Sequence, residues 1–184
     1  MAIIGVTGHR ILAEIEKIEA GVEQAIEKIE KAFPRKPLTC LSALAEGADT
    51  VVAKKVIARA NARLTVILPL PEDDYIADFR SRESREEFLT LLGRADEVIR
   101  LPAVSSRDAA YQAAGFYVLD HCDALITVWD GQSAQGQGGT GEIVALARLR
   151  NLPVAWVRAG NRRPGTMGAT SFGEDQGKVV FENF

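Results

Sequence analysis

The sequence is short of cysteine, carries no surplus of positive charge and holds no apolar run of the length a bilayer demands. Each shortage removes a class of protein. Its two cysteines, Cys40 and Cys122, sit inside the apolar runs LTCLSA and LDHCDALI, where a small buried hydrophobe is the ordinary role. Neither a disulfide framework nor a zinc or other metal site is therefore expected. The net charge is -3, whereas gripping a phosphate backbone takes a concentrated excess of Lys and Arg, so nucleic acid is not an expected partner. A bilayer span needs roughly 20 apolar residues in a row. None is present, and the opening MAIIGVTGHR lacks the charged start and long apolar stretch of a secretion signal. The expectation is a cytoplasmic protein with no membrane partner.

What the chain does have is alternation. Its 184 residues, 47% hydrophobic and 26% charged, suit one domain whose core needs no covalent staples. Ala2 to Val6 is a short apolar run ending in Thr-Gly, the pattern of a strand buried on both faces and followed by a tight loop. Ile11, Ile15, Ile18, Val22, Ile26, Ile29 and Phe33 then recur at steps of three and four, which predicts one amphipathic helix. Pro34 and Pro37 end it. Further strands are predicted at Leu38 to Ala43, Leu64 to Leu68, Val98 to Leu101, Ala124 to Trp129 and Pro153 to Val157. Helices are predicted at Ala48 to Ala60, Asp74 to Phe79, Glu83 to Gly93, Arg107 to Cys122 and Gly141 to Arg150. Strands alternating with helices imply a Rossmann-like α/β fold, because parallel neighbours need crossover connections. The sheet should be mostly parallel, six- to seven-stranded, with helices on both faces, and should occupy residues 1–158. From Ala159 the composition turns to Gly, Arg, Asn, Pro, Thr and Ser, so residues 159–184 are expected as a flexible arm or truncated linker, its closing VVFENF free to dock on a partner subunit.

In open α/β sheets a ligand lies off the carboxyl ends of the strands, where helix amino termini present free N–H groups. Three loops fall at that edge. The first, GVTGHR, offers Gly8 for close backbone approach, Thr7 as a hydroxyl donor, His9, and the donor fork of Arg10 for an anion. Its spacing is neither the dinucleotide fingerprint nor the Walker pattern. The second, SALAEGAD, leaves room at Ala43, Ala45 and Gly47, and Glu46 is placed to accept from ribose hydroxyls. Asp49 is either a site residue or a first-turn acid suited to the helix dipole. The third runs from Asp130 and Gly131 to Glu142. There Thr140 is expected to cap the next helix, and Gly138 and Gly139 to bare the amides in front of it, which together make an anion seat.

In their order, GVTGHR, LSALAEGAD, ILPLP with Tyr75 and Phe79, AYQAAGFYVLDHCDALITVWDG and GQGGTGEIVALAR resemble the SLOG superfamily. That group includes the Lonely Guy cytokinin-activating enzymes, DprA-like proteins and the nucleotide-sensing modules of Thoeris and TRPM proteins. The resemblance implies a Rossmann-like domain, dimeric or higher, whose ligand is a nucleotide or ADP-ribose derivative lying across the three loops, with no further cofactor required. Tyr111, in the matching stretch, would line the pocket or stack on a base. The phosphoribohydrolases of the group carry a glutamate three residues after the threonine of G-G-x-G-T. Here position 143 is Ile143 and the acid, Glu142, comes two after Thr140, a shift of about 100° around a helix. Arg80, Arg82 and Arg85 are further candidates for phosphate contact, or else a solvated charged helix face.

Two functions follow from this pattern. One is a binding module for a nucleotide-derived signal, as the sensor of a larger signalling or defence protein. The other is an enzyme cleaving an N-glycosidic bond, a phosphoribohydrolase or deoxyribosyltransferase-like protein, with Glu46, Asp130 or Glu142 as the carboxylate near the anomeric carbon. Small residues Ala109, Ala110, Ala113 and Ala114 on the helix from Arg107 would serve either a second subunit or the sheet.

Overall fold

The computed structural model describes residues 1–133 and 138–184. Positions 134–137 of the third loop lie outside the described residues. Seven strands form one sheet in the order β4-β3-β2-β1-β5-β6-β7. They are β1 (Ala2–Gly8), β2 (Leu38–Ser42), β3 (Arg63–Leu68), β4 (Glu97–Arg100), β5 (Ala124–Trp129), β6 (Val154–Arg158) and β7 (Val179–Glu182). Every neighbouring pair is parallel except β6 with β7. The architecture is thus the Rossmann-like α/β sheet that the alternation predicts. β2 and β5 are buried along their whole length, which is why LTCLS and ALITVW read as unbroken rather than alternating runs.

Helices cover both faces. On one side α1 (Ile15–Ala32) and α2 (Ala48–Ile57) bring Ile18, Val22, Ile26 and Val52 against Ile4, Val6, Cys40 and Val66. α3 (Glu72–Ile76) and α4 (Arg82–Leu92) extend that layer with Tyr75 and Phe88. On the other side α5 (Arg107–His121) and α6 (Thr140–Leu149) pack Ala114, Val118 and Ile143 on Leu41, Leu125 and Val154. The small residues Ala110 and Ala114 of α5 are buried within the domain. Among the described residues no helix is long and apolar enough to cross a membrane.

Two expectations are corrected. The first helix begins at Ile15, a turn later than the period starting at Ile11 predicts. Tertiary bonds hold the intervening segment instead: Arg80 donates to the Arg10 carbonyl at 3.0 Å and Gln176 Nε2 to that of Ala13 at 2.9 Å. The second concerns residues 159–184, expected as a flexible arm. They return to the sheet, where β7 pairs antiparallel with β6, and the Gly177 amide donates to the Arg158 carbonyl at 2.7 Å. Gly21 of α1 has no Cβ where the Gly177 backbone lies against it, so strand and helix can approach closely.

Gln176 fastens this return. It is 3% exposed, and its side chain accepts from the amides of Gly160 (3.0 Å) and Phe172 (3.1 Å) while donating to Ala13. Gln176→Ala strands those three groups. At about 1 kcal/mol for each bond, offset by local water entry, the expected loss is roughly 2 kcal/mol. This corresponds to a fall in melting temperature of about 4–8 °C for a domain of this size, measurable by calorimetry. A melting temperature equal to that of the wild type would show that the tail is not integral to the fold.

Candidate functional site

Because β1 pairs in parallel with both β2 and β5, the three loops that follow these strands leave the same edge of the sheet. That edge is also where the connectivity reverses, since the chain passes from β1 leftward to β2 and returns across it to β5. A cleft of about 200 Å³ opens there, at the switch point where open α/β sheets place ligands.

The first loop contributes Thr7, Gly8 and Arg10 to the cleft. The half-buried Arg10 guanidinium lies 5.2 Å from the centroid of the Tyr111 ring, a cation–π distance. Tyr111 also lines the cleft, and its hydroxyl donates to Asp78. Among the described residues Arg10 forms no ion pair, although Arg59, Arg80, Arg148 and Arg158 all do. His9 turns away. Its Nε2 accepts from the Asp130 amide at 3.1 Å and lies 3.3 Å from the Asp130 carboxylate. Burial lowers the imidazole pKa against the pull of Asp130, which favours the neutral ring whose Nε2 is an acceptor. His9 therefore ties the β1 loop to the β5 loop rather than lining the cleft.

The second loop contributes Ala43, Ala45 and Asp49. Gly47 stands at φ 81°, and a Cβ there would meet the His9 carbonyl at 2.5 Å, so glycine alone lets the two loops touch. The Ala48 amide at the start of α2 donates to the same carbonyl at 3.0 Å. Glu46, expected at the ligand, is taken up by Arg80 and Ser84 and does not line the cleft. It accepts from the Arg80 amide (2.8 Å), Arg80 Nε (2.8 Å) and Ser84 Oγ (2.5 Å). Burial works to raise its pKa, but the Ser84 and Arg80 bonds outweigh it and hold the carboxylate ionised. The arginines of this region are occupied as well: Arg82 pairs with Glu86, and Arg85 donates to the Phe79 carbonyl.

Asp49 behaves differently. It is 6% exposed and lines the cleft, where Ser42 Oγ donates to its Oδ2 at 2.8 Å. Burial pushes its pKa up to about 6 despite the Ser42 bond and the nearby charge of Arg10. Tyr75 lines the cleft beside it, held edge-on by Phe79 and Phe88 at 5.4 and 5.6 Å. Its hydroxyl is buried with no hydrogen-bond partner among the described residues. The sequence left Asp49 ambiguous and noticed Tyr75 only within a matching stretch.

At the third loop the glycine-rich run reaches the cleft through Gly138, Gly139 and Thr140. Gly139 is the N-cap of α6, without a side-chain cap, so Thr140 is its first helical residue and not the cap that the sequence predicts. Glu142 reaches back from the first turn, accepting from the Gly138 amide at 2.7 Å and from Gln112 Nε2 at 2.7 Å. This carboxylate braces the loop against α5 and does not line the cleft. Thr140 and Gly141 open the helix, where amides have no intrahelical acceptor. Asp130 accepts from the Gln132 amide at 3.0 Å, and Gly131 packs under Trp156. Both stand outside the cleft wall.

The described cleft therefore joins one cation, helix-terminal amides, the four hydroxyl-bearing side chains of Thr7, Tyr75, Tyr111 and Thr140, and one carboxyl. Among the described residues no group of three His, Cys, Asp or Glu side chains gathers to hold a metal. No protein-family model matches the chain, and no curated protein matches it. The X-ray structure of TM1055, a structural-genomics target, is similar over 84% of this chain and 72% of that one, at 13% identity and a TM-score of 0.48.

Proposed function

We propose that this chain binds a small nucleotide-derived ligand, a ribosyl phosphate or nucleoside phosphate, in the cleft at the β1–β5 switch point. The carrying observation is Arg10, a half-buried guanidinium at the cleft that pairs with no carboxylate among the described residues. Among the described residues only the Tyr111 side chain and the Asp49 carboxyl, with which it forms no ion pair, offset its charge there, and a phosphate supplies the bidentate partner that a guanidinium fits. The α6 amino terminus on the facing wall adds amides and the positive dipole end. The volume of about 200 Å³ is below the roughly 300–1,000 Å³ of sites that enclose drug-sized ligands. A cleft of this size suits a ligand portion no larger than a ribosyl phosphate, so a base or a second phosphate would extend past the rim. The SLOG resemblance of the loops points to the same ligand class, and a sensor module of a larger signalling protein is the role that fits binding without chemistry.

Thermal unfolding with AMP, NAD, ADP-ribose and ribose 5-phosphate tests this. A ligand present at 100 times its dissociation constant stabilises by about 2.7 kcal/mol, a rise of roughly 5–10 °C here. The absence of any shift at millimolar concentration would defeat the reading.

The alternative is N-glycosidic cleavage. Three carboxylates expected to serve it, Glu46, Asp130 and Glu142, are engaged by protein groups outside the cleft wall. Asp49 alone keeps that reading open, as a carboxyl in the cleft whose pKa of about 6 suits proton transfer near neutral pH. Base released from AMP, or nicotinamide from NAD, during the same incubations would decide for the enzyme.

A further inference from the structure

We propose that the cleft floor recognises a vicinal diol, so that the ligand is a ribo- rather than a deoxyribo-compound, with the Tyr75 hydroxyl reading the 2-hydroxyl and the Asp49 carboxyl the 3-hydroxyl. The inference rests on the ligand class proposed above and adds which sugar is selected.

The first support is an unmet bonding capacity. Tyr75 is 1% exposed, and its hydroxyl is a buried donor and acceptor with no partner among the described residues. A native structure seldom leaves such a group idle, since it costs about as much as a lost hydrogen bond. Nothing in the packing requires the oxygen. The ring fills an aromatic cluster with Phe79 and Phe88, where phenylalanine would serve as well. What distinguishes Tyr75 from its two neighbours is that it reaches the cleft.

The second support is the neighbour. Asp49 lines the same floor, and its burial and its influence on Tyr75 place the carboxyl and the phenol in one electrostatic environment with Arg10. A phenol that can donate beside a carboxylate that can only accept is matched by two adjacent hydroxyls, each of which does both. A base edge is the competing occupant. It is disfavoured because bases bind by stacking on an aromatic face, and of the two aromatic rings lining the cleft, Tyr111 is faced by Arg10 and Tyr75 is enclosed by Phe79 and Phe88.

Titration calorimetry of the full chain with four probes, ribose 5-phosphate, 2-deoxyribose 5-phosphate, AMP and 2′-deoxy-AMP, tests the pair. Sites built to bond a hydroxyl reject the analogue lacking it strongly. Wild-type protein should bind each ribo-compound at least about tenfold more tightly than its deoxy counterpart. Tyr75→Phe should lower affinity for the ribo-compounds by about tenfold and leave the deoxy-compounds unchanged, so that the preference disappears. The same variant should melt no lower than wild type, because it removes an unbonded oxygen rather than a contact. Equal affinity of the wild type for ribo- and deoxy-forms would overturn the diol while leaving the phosphate site intact. A Tyr75→Phe variant that weakens all four probes alike would overturn the assignment to Tyr75. Failure of all four to bind would remove the underlying function and this inference with it.

Discussion

Arg10→Ala is expected to erase the ligand-induced rise in melting temperature while the unliganded protein stays folded. Arg10 forms no ion pair among the described residues, and its contact with the Tyr111 ring is a modest one. Removing it breaks no direct ion pair, the usual reason that deleting an arginine unfolds a domain, although it withdraws a charge that favours the ionised Asp49 carboxyl. The ligand loses more. Charge-assisted bonds to a phosphate contribute about 1.5–3 kcal/mol each, so the dissociation constant should rise on the order of 100-fold. At a ligand concentration of 100 times the wild-type constant, the stabilisation falls from about 2.7 to about 0.4 kcal/mol. Differential scanning calorimetry of both proteins with and without AMP checks this. Equal shifts would mean that the phosphate sits elsewhere. Arg80→Ala provides the contrast: Arg80 neutralises the buried Glu46, so its loss should lower stability of the free protein first.

That Arg10 rather than Arg80 is left without an ion pair among the described residues was beyond the reach of the sequence. Arg10 stands in a matching stretch and Arg80 directly after one, and both look available. What separates them is a pairing across 34 positions, Arg80 with Glu46, which local pattern cannot reveal. The same holds for Glu142. Its spacing from Thr140 departs from the phosphoribohydrolase pattern, but only the fold shows the carboxylate turned back onto Gly138 and Gln112. Conversely, the loop positions themselves were legible. Thr7, Gly8, Ala45, Gly138 and Gly139 all line the cleft, because glycine and small residues directly after an apolar strand have few other reasons to occur there.

The central strands of the parallel sheet, β2 and β5, were legible because burial on both faces writes itself as an apolar run. β7 escaped for the opposite reason. VVFE is an antiparallel edge strand, only partly buried and preceded by a stretch rich in glycine and polar residues. Its place depends on Gln176, a polar residue whose importance comes from three bonds to distant amides and a carbonyl. No period or propensity marks such a residue. The late start of α1 has the same origin, since the segment before Ile15 is anchored by Arg80 and Gln176 rather than by its own helical pattern.

Asp49→Asn should make the protein more stable at neutral pH, by an amount that grows with pH. In the unfolded chain the carboxyl releases its proton near its ordinary 3.8, and in the folded protein burial delays release to about 6. Between those values the folded state holds the extra proton. Stability attributable to Asp49 is therefore complete below about pH 4 and declines as the pH rises through 6. About two pH units at 1.36 kcal/mol each give a loss on the order of 3 kcal/mol by pH 7–8. Asparagine does not titrate, yet its amide oxygen can still accept from Ser42 Oγ, so the decline should vanish. The groups facing Asp49 do not confuse the measurement. Arg10 stays charged throughout, and the pKa values of Tyr75 and Cys40 are both raised by burial, so they stay neutral. Urea unfolding of both proteins from pH 4 to pH 8 should give a difference near zero at the acid end that widens to about 3 kcal/mol, and a difference independent of pH would refute the raised pKa. A wild-type protein that keeps such a destabilising charge in its cleft is accepting instability at a site that a ligand hydroxyl can relieve. The more stable Asn variant should accordingly be the poorer binder.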